Sequence, residues 1–274
     1  MRRSFYYSRK KSFGVCTVNI EFCAMYTLKK SLGQHFLHDE NVCRKIVSHL
    51  TVKDDMNLLE VGPGGGAISK YLIEIPGINY KAIEIDTEKV EYLEHTYPAM
   101  KGKIITQDIL KASLPFDGPF SLIGNFPYNI SSQILFKVLD WEPQVDEVVG
   151  MFQKEVAQRI ATGPGSKTYG ILSVLMQTNF KVEYLFDVNE KSFTPPPKVT
   201  SGVLRFSNLH NPYNITNTKR FKDIVKAAFG QRRKTLRNAL KSVLHADLLQ
   251  DAIMDKRAEQ LTVQDFVSIY LTAI

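Results

Sequence analysis

A glycine-rich loop at residues 60–67, with the sequence EVGPGGGA, places the strongest limit on how this chain can fold. The apolar segment Asn57–Val61 leading into it is typical of a short strand, and a helical pattern follows to about Glu74. Glycines between a strand and a helix let the backbone approach a ligand, and the helix N-terminus offers free N–H groups. The loop therefore predicts a nucleotide-type ligand site within an α/β fold.

An acidic side chain at the end of the next predicted strand supports that site. Glu84 lies in the strand predicted at Tyr80–Ile85, roughly 20 positions beyond the loop, where a carboxylate can accept both ribose hydroxyls. Gly62, Gly64 and Ala67 also have the spacing of a dinucleotide-binding loop. The loop alone therefore leaves three interpretations open: a methyl donor, a nicotinamide cofactor or a structural turn.

Short apolar strands alternate with helices over the following residues, which predicts a parallel sheet covered on both faces. The other predicted strands are Lys103–Thr106, Phe120–Ile123, Val145–Phe152, Phe180–Val188 and Val199–Phe206, of which the last two form an antiparallel edge. The predicted helices are Asn41–Leu50, Thr87–His95, Ser131–Leu139 and Lys154–Ala161.

The pattern changes near residue 210, after which only helical periods occur. These later helices are predicted at Lys219–Phe229, Arg232–Leu244, Asp247–Met254 and Thr262–Thr272. We therefore expect an α/β domain at residues 25–209 and a small helical domain at residues 210–274. Residues 1–24 show neither a helical nor an alternating apolar period, and we expect a disordered or non-native extension there. One interpretation is an organelle transit peptide. The interpretation that we favour is translation from an upstream start codon, with Met25 as the first residue of the functional protein.

Charge is distributed unevenly along the chain, whose formal net charge is +7. Residues 219–241 hold nine basic side chains against one acidic side chain, residues 1–24 hold five against one, and the remainder is net −5. A basic region in an otherwise acidic chain suggests a polyanionic partner.

Cysteine content and hydropathy indicate the compartment. The three cysteines have no paired metal-ligand spacing, so we expect a reducing, cytoplasmic environment. The longest uncharged run, Gly118–Phe136, carries Asn125, Pro127 and Asn129 in its middle, which is typical of a strand, loop and helix rather than a membrane span.

Two further segments favour a methyl donor over a nicotinamide cofactor. The strand predicted at Lys103–Thr106 leads to Asp108, an acid suited to an adenine amino group. The tetrapeptide Asn125–Tyr128 (NFPY) follows the apolar segment Ser121–Gly124. In isolation such a tetrapeptide is also common in plain turns, so it counts here because it follows the glycine loop and the two acids.

The tetrapeptide suits methylation of an exocyclic amine, which is a poor nucleophile because its lone pair is delocalised into the ring. The Asn125 side-chain carbonyl and the Phe126 backbone carbonyl can accept both N–H groups and draw the nitrogen toward a tetrahedral geometry. Pro127 stiffens the loop, and Tyr128 offers a face on which the base can stack. Because this work is positioning and desolvation, no dedicated general base is required.

In these features the chain resembles the ribosomal RNA adenine N6,N6-dimethyltransferase family of the KsgA type. The likeness runs from about Lys29 to the C-terminal helices. It is carried, in family order, by Lys30–Leu37 (KSLGQHFL), Glu60–Gly64 (EVGPG), Asn125–Tyr128 (NFPY), Gln153–Ala157 (QKEVA), Phe193–Val199 (FTPPPKV) and Gln231–Asn238 (QRRKTLRN). The resemblance implies a Rossmann-like, S-adenosylmethionine-dependent methyltransferase domain, followed by a small all-helical C-terminal domain.

The resemblance also implies the site residues. Asn125 and Tyr128, with Phe126 and Pro127 between them, would hold the target adenine, and Phe193 would close the pocket. S-adenosylmethionine would contact, without a metal, Gln34, His35, Leu37, Gly62, Gly64, Glu84, Ile85, Asp108, Ile109 and Asn125. The chain has His35 where the family often has Asn, and Phe126 where Leu is frequent; neither change removes the backbone groups that the chemistry uses.

The basic segment near residue 230 is the predicted RNA contact. In the helix predicted there, Arg232, Arg233, Lys234 and Arg237 would contact phosphates, while Leu236, Leu240 and Leu244 pack inward. A run of charge is otherwise usually a solvated face. Phosphate contacts set affinity and register but not sequence choice, and the target base must be unpaired or flipped out.

The resemblance implies that the chain dimethylates two adjacent adenosines near the 3′ end of small-subunit (16S) ribosomal RNA, as a monomer with a role in subunit biogenesis. Three rival hypotheses stay open. One is a large-subunit adenine methyltransferase conferring antibiotic resistance. Another is a DNA adenine or protein glutamine methyltransferase, against which the basic helical region argues. The third is an assembly checkpoint that occupies an immature subunit, a role compatible with catalysis.

Overall fold

The computed structural model describes residues 35–274. The predicted extension at residues 1–24, Gln34 and most of the opening motif Lys30–Leu37 lie outside the described residues. Among residues 35–274, no helix combines the length and the apolar character that a membrane span requires.

The centre of the structure is a seven-stranded mixed sheet of the Rossmann-like type. Its strands are β2 (Asn57–Val61), β3 (Asn79–Glu84), β4 (Ile104–Thr106), β5 (Phe120–Asn125), β6 (Val145–Gln153), β7 (Phe180–Val188) and β9 (Ser201–Asn208). They lie in the order β4-β3-β2-β5-β6-β9-β7, and all neighbours are parallel except β9, which runs antiparallel to both β6 and β7. A separate two-stranded sheet pairs β1 (Phe36–Leu37) with β8 (Phe193–Thr194).

Helices cover both faces of this sheet. Their bounds are α1 Glu40–Ser48, α2 Ser69–Leu72, α3 Thr87–Thr96, α4 Ser131–Asp140, α5 Lys154–Ala161, α6 Ile171–Asn179, α7 Thr218–Gly230, α8 Leu236–Ala239 and α9 Val263–Thr272. Acidic N-cap side chains start two of them: Asp39 accepts from the first turn of α1, and Asp86 accepts from that of α3. Such caps satisfy N–H groups that have no partner inside a helix.

Two hydrophobic cores lie on opposite faces of the sheet. Leu58 faces the core that packs against α1, α2 and α3, whereas its neighbour Leu59 faces the core built with α4, α5 and α6. This alternation is what a strand buried on both faces requires. The predicted doubly covered sheet is therefore confirmed.

The C-terminal helices pack onto the second of these cores. Phe229 of α7 stacks on Phe266 of α9 with ring centroids 5.7 Å apart, and its ring also meets Tyr169 at 6.0 Å. After β9 only helical elements follow within the described chain. The residues after 210 thus share a continuous core with α6, and their separation into a second domain stays a prediction.

Most predicted strands and helices agree with the structure within two residues, but four differences concern helices. Helix α6 was not predicted. The helix predicted to run from the glycine loop to about Glu74 is only the four-residue α2. The helix predicted at Arg232–Leu244 is reduced to α8, because a turn closed by the Lys234 amide on the Gln231 carbonyl (2.8 Å) precedes it.

The helix predicted at Asp247–Met254 was also wrong. Asp251 adopts an extended conformation (φ −60°, ψ 142°), and its carboxylate accepts from the Ile253 amide. An aspartate that caps its own downstream amides competes with helix continuation. The segment therefore forms two 3₁₀ turns, Ala246–Gln250 and Ala252–Asp255.

Candidate active site

A cavity of about 290 Å³ opens at the carboxyl ends of β2, β3 and β5. The chain leaves β2 through α2 on one face of the sheet and leaves β5 through α4 on the other face. Opposite crossovers of this kind create a crevice between adjacent parallel strands, where α/β proteins bind ligands. The volume is close to the lower end of the range for small-molecule sites.

The glycine-rich loop forms one wall of the cavity. Gly62 and Gly64 have φ values of +69° and +58°, a left-handed conformation that side chains with a Cβ rarely adopt. Gly62 also faces the tetrapeptide loop, because a Cβ at this position would lie 3.8 Å from Cδ of Pro127. The loop that follows β2 and the loop that follows β5 therefore meet at the switch point of the sheet.

Two predicted carboxylates lie on the same cavity, one at the end of β3 and one after β4. Glu84 is only 6% exposed, and its oxygens accept from the amides of Gly64 (3.3 Å), Ile85 (3.0 Å) and Asp86 (3.1 Å). Asp108 accepts from the Leu110 amide at 2.9 Å. The Glu84 carboxylate thus joins the end of β3 to the glycine loop and is oriented before any ligand binds.

Two hydrogen-bond acceptors lie unused where β5 ends. Among the described residues, none donates a hydrogen bond to the Asn125 side chain or to the Phe126 backbone carbonyl. The Phe126 ring is 1% exposed and packs on Phe152 with centroids 5.2 Å apart, so the core fixes this part of the backbone. A pair of free acceptors on this backbone, beside the cavity, suits a ligand with two N–H groups.

Tyr128 lines the cavity and is held at both ends. Its hydroxyl shares a hydrogen bond with the Ser201 hydroxyl, and its backbone carbonyl accepts from Ser131 at 3.2 Å. The His35 ring lies nearby, with centroids 6.0 Å apart. Burial raises the pKa of Tyr128, so the phenol stays protonated at neutral pH.

The described end of the opening motif, residues 35–37, and the FTPPPKV motif are brought together by the β1–β8 pair. Leu37 pairs with Phe193, and His35 Nδ1 lies 2.8 Å from the Pro195 carbonyl. His35 and Leu37 border the cavity, but Phe193 is not among its lining residues. Phe193 is 2% exposed and belongs to the core behind Leu37, so a role in closing the pocket stays a prediction.

The structure gathers the remaining predicted residues around one cavity. Apart from Gln34, which is outside the described range, and Phe193, the predicted set lines it: His35, Leu37, Gly62, Gly64, Glu84, Ile85, Asp108, Ile109, Asn125, Phe126, Pro127 and Tyr128. Ile85 is 58% exposed and offers the cavity an apolar surface. Which of these residues contact a ligand stays a prediction.

Several further polar residues at or beside the site were not predicted from the sequence, among them Glu60, Lys89 and Ser201. Glu60 and Lys89 line the cavity, although both are less than a tenth exposed. The signal for Glu60 was available, since it is a charged residue inside the otherwise apolar strand at Asn57–Val61. Ser201 had no signal of this kind, because its partner Tyr128 is distant in the chain.

Glu60 is the most perturbed carboxyl group of the site. Burial raises its pKa to about 7, and the neighbouring Glu84 carboxylate acts in the same direction. The hydrogen bond that the Tyr80 hydroxyl donates to Glu60 opposes this shift only in part. At neutral pH, proton uptake at Glu60 is therefore coupled to folding.

Replacing Glu60 by glutamine is expected to flatten the pH dependence of the free energy of unfolding. The raised pKa makes protonated Glu60 stabilising below its unfolded pKa of 4.5, and this contribution is lost as pH rises through about 7. Between pH 5 and 8 the free energy of unfolding of the wild type should fall by roughly 2–3 kcal/mol because of Glu60. The E60Q variant should not show this fall. Urea unfolding at several pH values measures the difference, and parallel curves for the two proteins would contradict it.

Comparison with known proteins agrees with this geometry. The family model described as ribosomal RNA adenine dimethylase matches residues 25–274. The chain is 50% identical to the ribosomal RNA small subunit methyltransferase A of Cytophaga hutchinsonii, over 88% of this chain and 95% of that protein. It is 51% identical to the protein of the same name from Flavobacterium johnsoniae, over 87% and 93% of the two chains.

Solved structures show the same fold. A dimethyladenosine transferase from Plasmodium falciparum superposes with a TM-score of 0.76 at 25% identity, over 87% of this chain and 97% of that one. The 23S ribosomal RNA methyltransferase ErmE superposes with a TM-score of 0.69 at 20% identity, over 87% and 99% of the two chains, and this likeness concerns the fold alone. By the match over residues 25–274 and the identity to its curated relatives, the chain belongs to the ribosomal RNA adenine dimethylase family.

Proposed function

We propose that the chain methylates the N6 amino group of two adjacent adenosines near the 3′ end of small-subunit ribosomal RNA, each twice, with S-adenosylmethionine as the methyl donor. The observation that carries this proposal is the pair of free acceptors, Asn125 and the Phe126 carbonyl, beside the cavity. Relatives about half identical to the chain bear the name ribosomal RNA small subunit methyltransferase A. The 23S ribosomal RNA methyltransferase ErmE shares the fold, but at 20% identity that likeness does not favour a large-subunit substrate.

The cavity fits a nucleoside-bearing methyl donor. Glu84 would accept the ribose hydroxyls, Asp108 would accept from the adenine amino group, and the glycine loop would allow the backbone to approach the rest of the molecule. S-adenosylmethionine supplies a methyl group activated by a positively charged sulfur. That no metal takes part in its binding stays a prediction.

The chain's own contribution is to hold the target amine. Asn125 and the Phe126 carbonyl would accept its two N–H groups, and the Tyr128 ring would support the plane of the base. As the new N–C bond forms, the bond between the methyl group and the donor sulfur would break, leaving a neutral thioether, and one N–H proton would pass from the nitrogen to solvent. After the first methylation one N–H remains, so one of the two acceptors still orients the nitrogen for the second transfer.

The four cations predicted to bind RNA divide into two pairs. Arg232 donates to the Lys167 carbonyl at 2.6 Å and lies 3.7 Å from Glu259, while Arg237 is 2.7 Å from Asp255. Both arginine side chains therefore already bind other residues of the protein. Within the described chain, the exposed side chains of Arg233 and Lys234 have no hydrogen-bond or ion-pair partner, so we assign the phosphate contacts to them.

Replacing Arg233 and Lys234 together by alanine is expected to weaken RNA binding and its salt dependence. Removal of each phosphate-binding side chain should lower the slope of log affinity against log salt concentration by about 1. Filter binding of small-subunit RNA between low and physiological salt measures this slope. The matched control removes Lys101 and Lys103, two exposed lysines beside edge strand β4 at the far end of the sheet. Equal slopes for both double variants would contradict the assignment.

The site of modification can be mapped in cells whose small-subunit RNA lacks dimethyladenosine. N6,N6-dimethyladenosine has no N–H left for base pairing, so reverse transcription stops beside it. Expression of the chain should create two adjacent stops near the 3′ end of the small-subunit RNA. Stops in large-subunit RNA, together with antibiotic resistance, would instead favour the resistance-type methyltransferase.

We further propose that the protein acts in the cytoplasm as a monomer and takes part in small-subunit biogenesis. The basic segment and the ribosomal RNA family support a subunit as partner. An assembly role separable from catalysis would appear as Asn125→Ala protein that still binds immature subunits without methylating them. Loss of subunit binding in that variant would argue against a separable role.

A further inference from the structure

Ser201 lies where three strands of the sheet end together. It is the first residue of β9, and its register partners are Gln153, the last residue of β6, and Val188, the last residue of β7. Its side chain is fully buried, with 0% exposure. Hydrogen-bonded strands on both sides fix the position of this serine, which makes it a rigid point from which another group can be oriented.

The Ser201 hydroxyl has one hydrogen-bond partner among the described residues, the hydroxyl of Tyr128. A buried hydroxyl without a partner costs free energy, so this contact accounts for a serine at a position otherwise surrounded by core residues. Tyr128 is half-buried and lines the cavity, whereas Ser201 does not. Ser201 can therefore act on a ligand only through Tyr128.

The contact fixes the orientation of the Tyr128 ring. A tyrosine side chain turns about two bonds, and tying its hydroxyl to β9 while Ser131 holds its backbone carbonyl restricts both rotations. The His35 ring on the cavity side is tilted by 31° to it and limits the remaining movement. A stacking platform held in this way presents one plane to a base.

The Tyr128 hydroxyl is poorly suited to a proton-transfer role. It is already engaged with Ser201, and burial raises its pKa, so it does not ionise at neutral pH. Orientation of the ring is the remaining use for this hydroxyl. Orientation of the ring would also account for the position of the Ser201–Tyr128 pair beside the two acceptors, Asn125 and the Phe126 carbonyl.

We propose that Ser201 is a positioning residue for methyl transfer, which acts by fixing the plane of the Tyr128 ring on which the target adenine stacks. This inference rests on the proposed function. The second transfer depends on this plane more strongly than the first, because the monomethylated nitrogen has only one N–H left for the two acceptors and must rely on stacking for its orientation.

The test compares Ser201→Ala, Tyr128→Phe and the double variant, since each single change removes the same hydrogen bond. We expect kcat to fall about 10-fold in each single variant, with no further fall in the double variant, because the two residues act as one unit. The KM for S-adenosylmethionine should stay within about twofold of the wild type. Ser201→Thr, which keeps a hydroxyl, should restore most of the rate.

Two readouts separate positioning from a general effect on folding. RNA carrying 2-aminopurine at the target position should be quenched less by Ser201→Ala than by the wild type, because the base stacks less well on Tyr128. The variant should also release a larger fraction of N6-monomethyladenosine. Tyr128→Phe keeps the core serine in place, so it tests the same hydrogen bond even where Ser201→Ala folds poorly.

Wild-type rate and product ratio in both single variants would overturn the role of Ser201, as would losses that multiply in the double variant. A wild-type protein that binds S-adenosylmethionine and small subunits yet forms no methylated adenosine would overturn the proposed function instead. The two failures are therefore distinguishable in one experiment.

Discussion

Replacing Asn125 by alanine is expected to lower the rate constant of methyl transfer to adenosine by about 10³-fold. Asn125 is the last residue of β5, at the switch point of the sheet, and its side chain has no hydrogen-bond partner among residues 35–274. Its loss removes one of two acceptors that orient the amine, while the core beneath Phe126 stays unchanged. Single-turnover assays with small subunits lacking dimethyladenosine measure this rate.

Asn129 provides the matched control for this variant. It borders the same cavity, is exposed, and lies just beyond the tetrapeptide. Asn129→Ala should therefore keep the rate within about threefold of the wild type, although it removes the same side-chain group from the same loop. Similar rates for both variants would show that Asn125 is not the acceptor on which transfer depends.

Replacing Gly124 by alanine is expected to destabilise the protein by about 3 kcal/mol. A Cβ at this position would lie 2.6 Å from the Val61 carbonyl oxygen of β2 and 2.8 Å from the Phe126 ring. The first of these atoms is backbone within a parallel strand pair, so β5 would have to move away from β2. Such movement displaces Asn125, the next residue, and activity should be lost together with stability.

Thermal unfolding checks this prediction, with an expected fall in Tm of roughly 10 °C for a chain of this size. Gly163→Ala is the control, because a Cβ there meets nothing within 4 Å. That variant should unfold close to the wild-type temperature. A stable and active Gly124→Ala protein would mean that the close approach of β2 and β5 is not required.

The sheet and the arrangement of the site could be predicted from the sequence because local patterns determine both. Buried parallel strands are short and apolar, and their carboxyl ends meet at one edge of the sheet. Residues at or just after the ends of successive strands, such as Glu84, Asp108 and Asn125, are therefore brought to the same cavity. The chemistry of an amine then explains the tetrapeptide without knowledge of its neighbours.

Helix α6 could not be predicted from periodicity, because five of the first six residues of its sequence ILSVLMQTN are apolar. It lies between the sheet and the C-terminal helices, and five of its residues are buried. A helix buried on several sides lacks the polar face that marks an amphipathic helix. In the basic segment the predicted helix was instead too long. The leucines at positions 236, 240 and 244 have helical spacing and are buried, but the segment forms a turn followed by a short helix.

Contacts between residues distant in the chain could not be predicted from the sequence either. The four basic residues from Arg232 to Arg237 looked equivalent in the sequence, yet Arg232 binds the loop at Lys167 and Arg237 binds Asp255. The bond between Ser201 and Tyr128 joins residues that are 73 positions apart. Phe193 lies behind the cavity wall for the same reason, since its pairing with Leu37 depends on where β1 and β8 meet.

Transfer of tritium from methyl-labelled S-adenosylmethionine to small ribosomal subunits that lack dimethyladenosine, followed by digestion of the RNA to nucleosides, tests the proposed activity most directly. We predict label in N6,N6-dimethyladenosine with the wild type and its absence with Asn125→Ala. Label in large-subunit RNA instead would contradict the proposed substrate, and no label in either RNA would contradict the proposed enzyme activity.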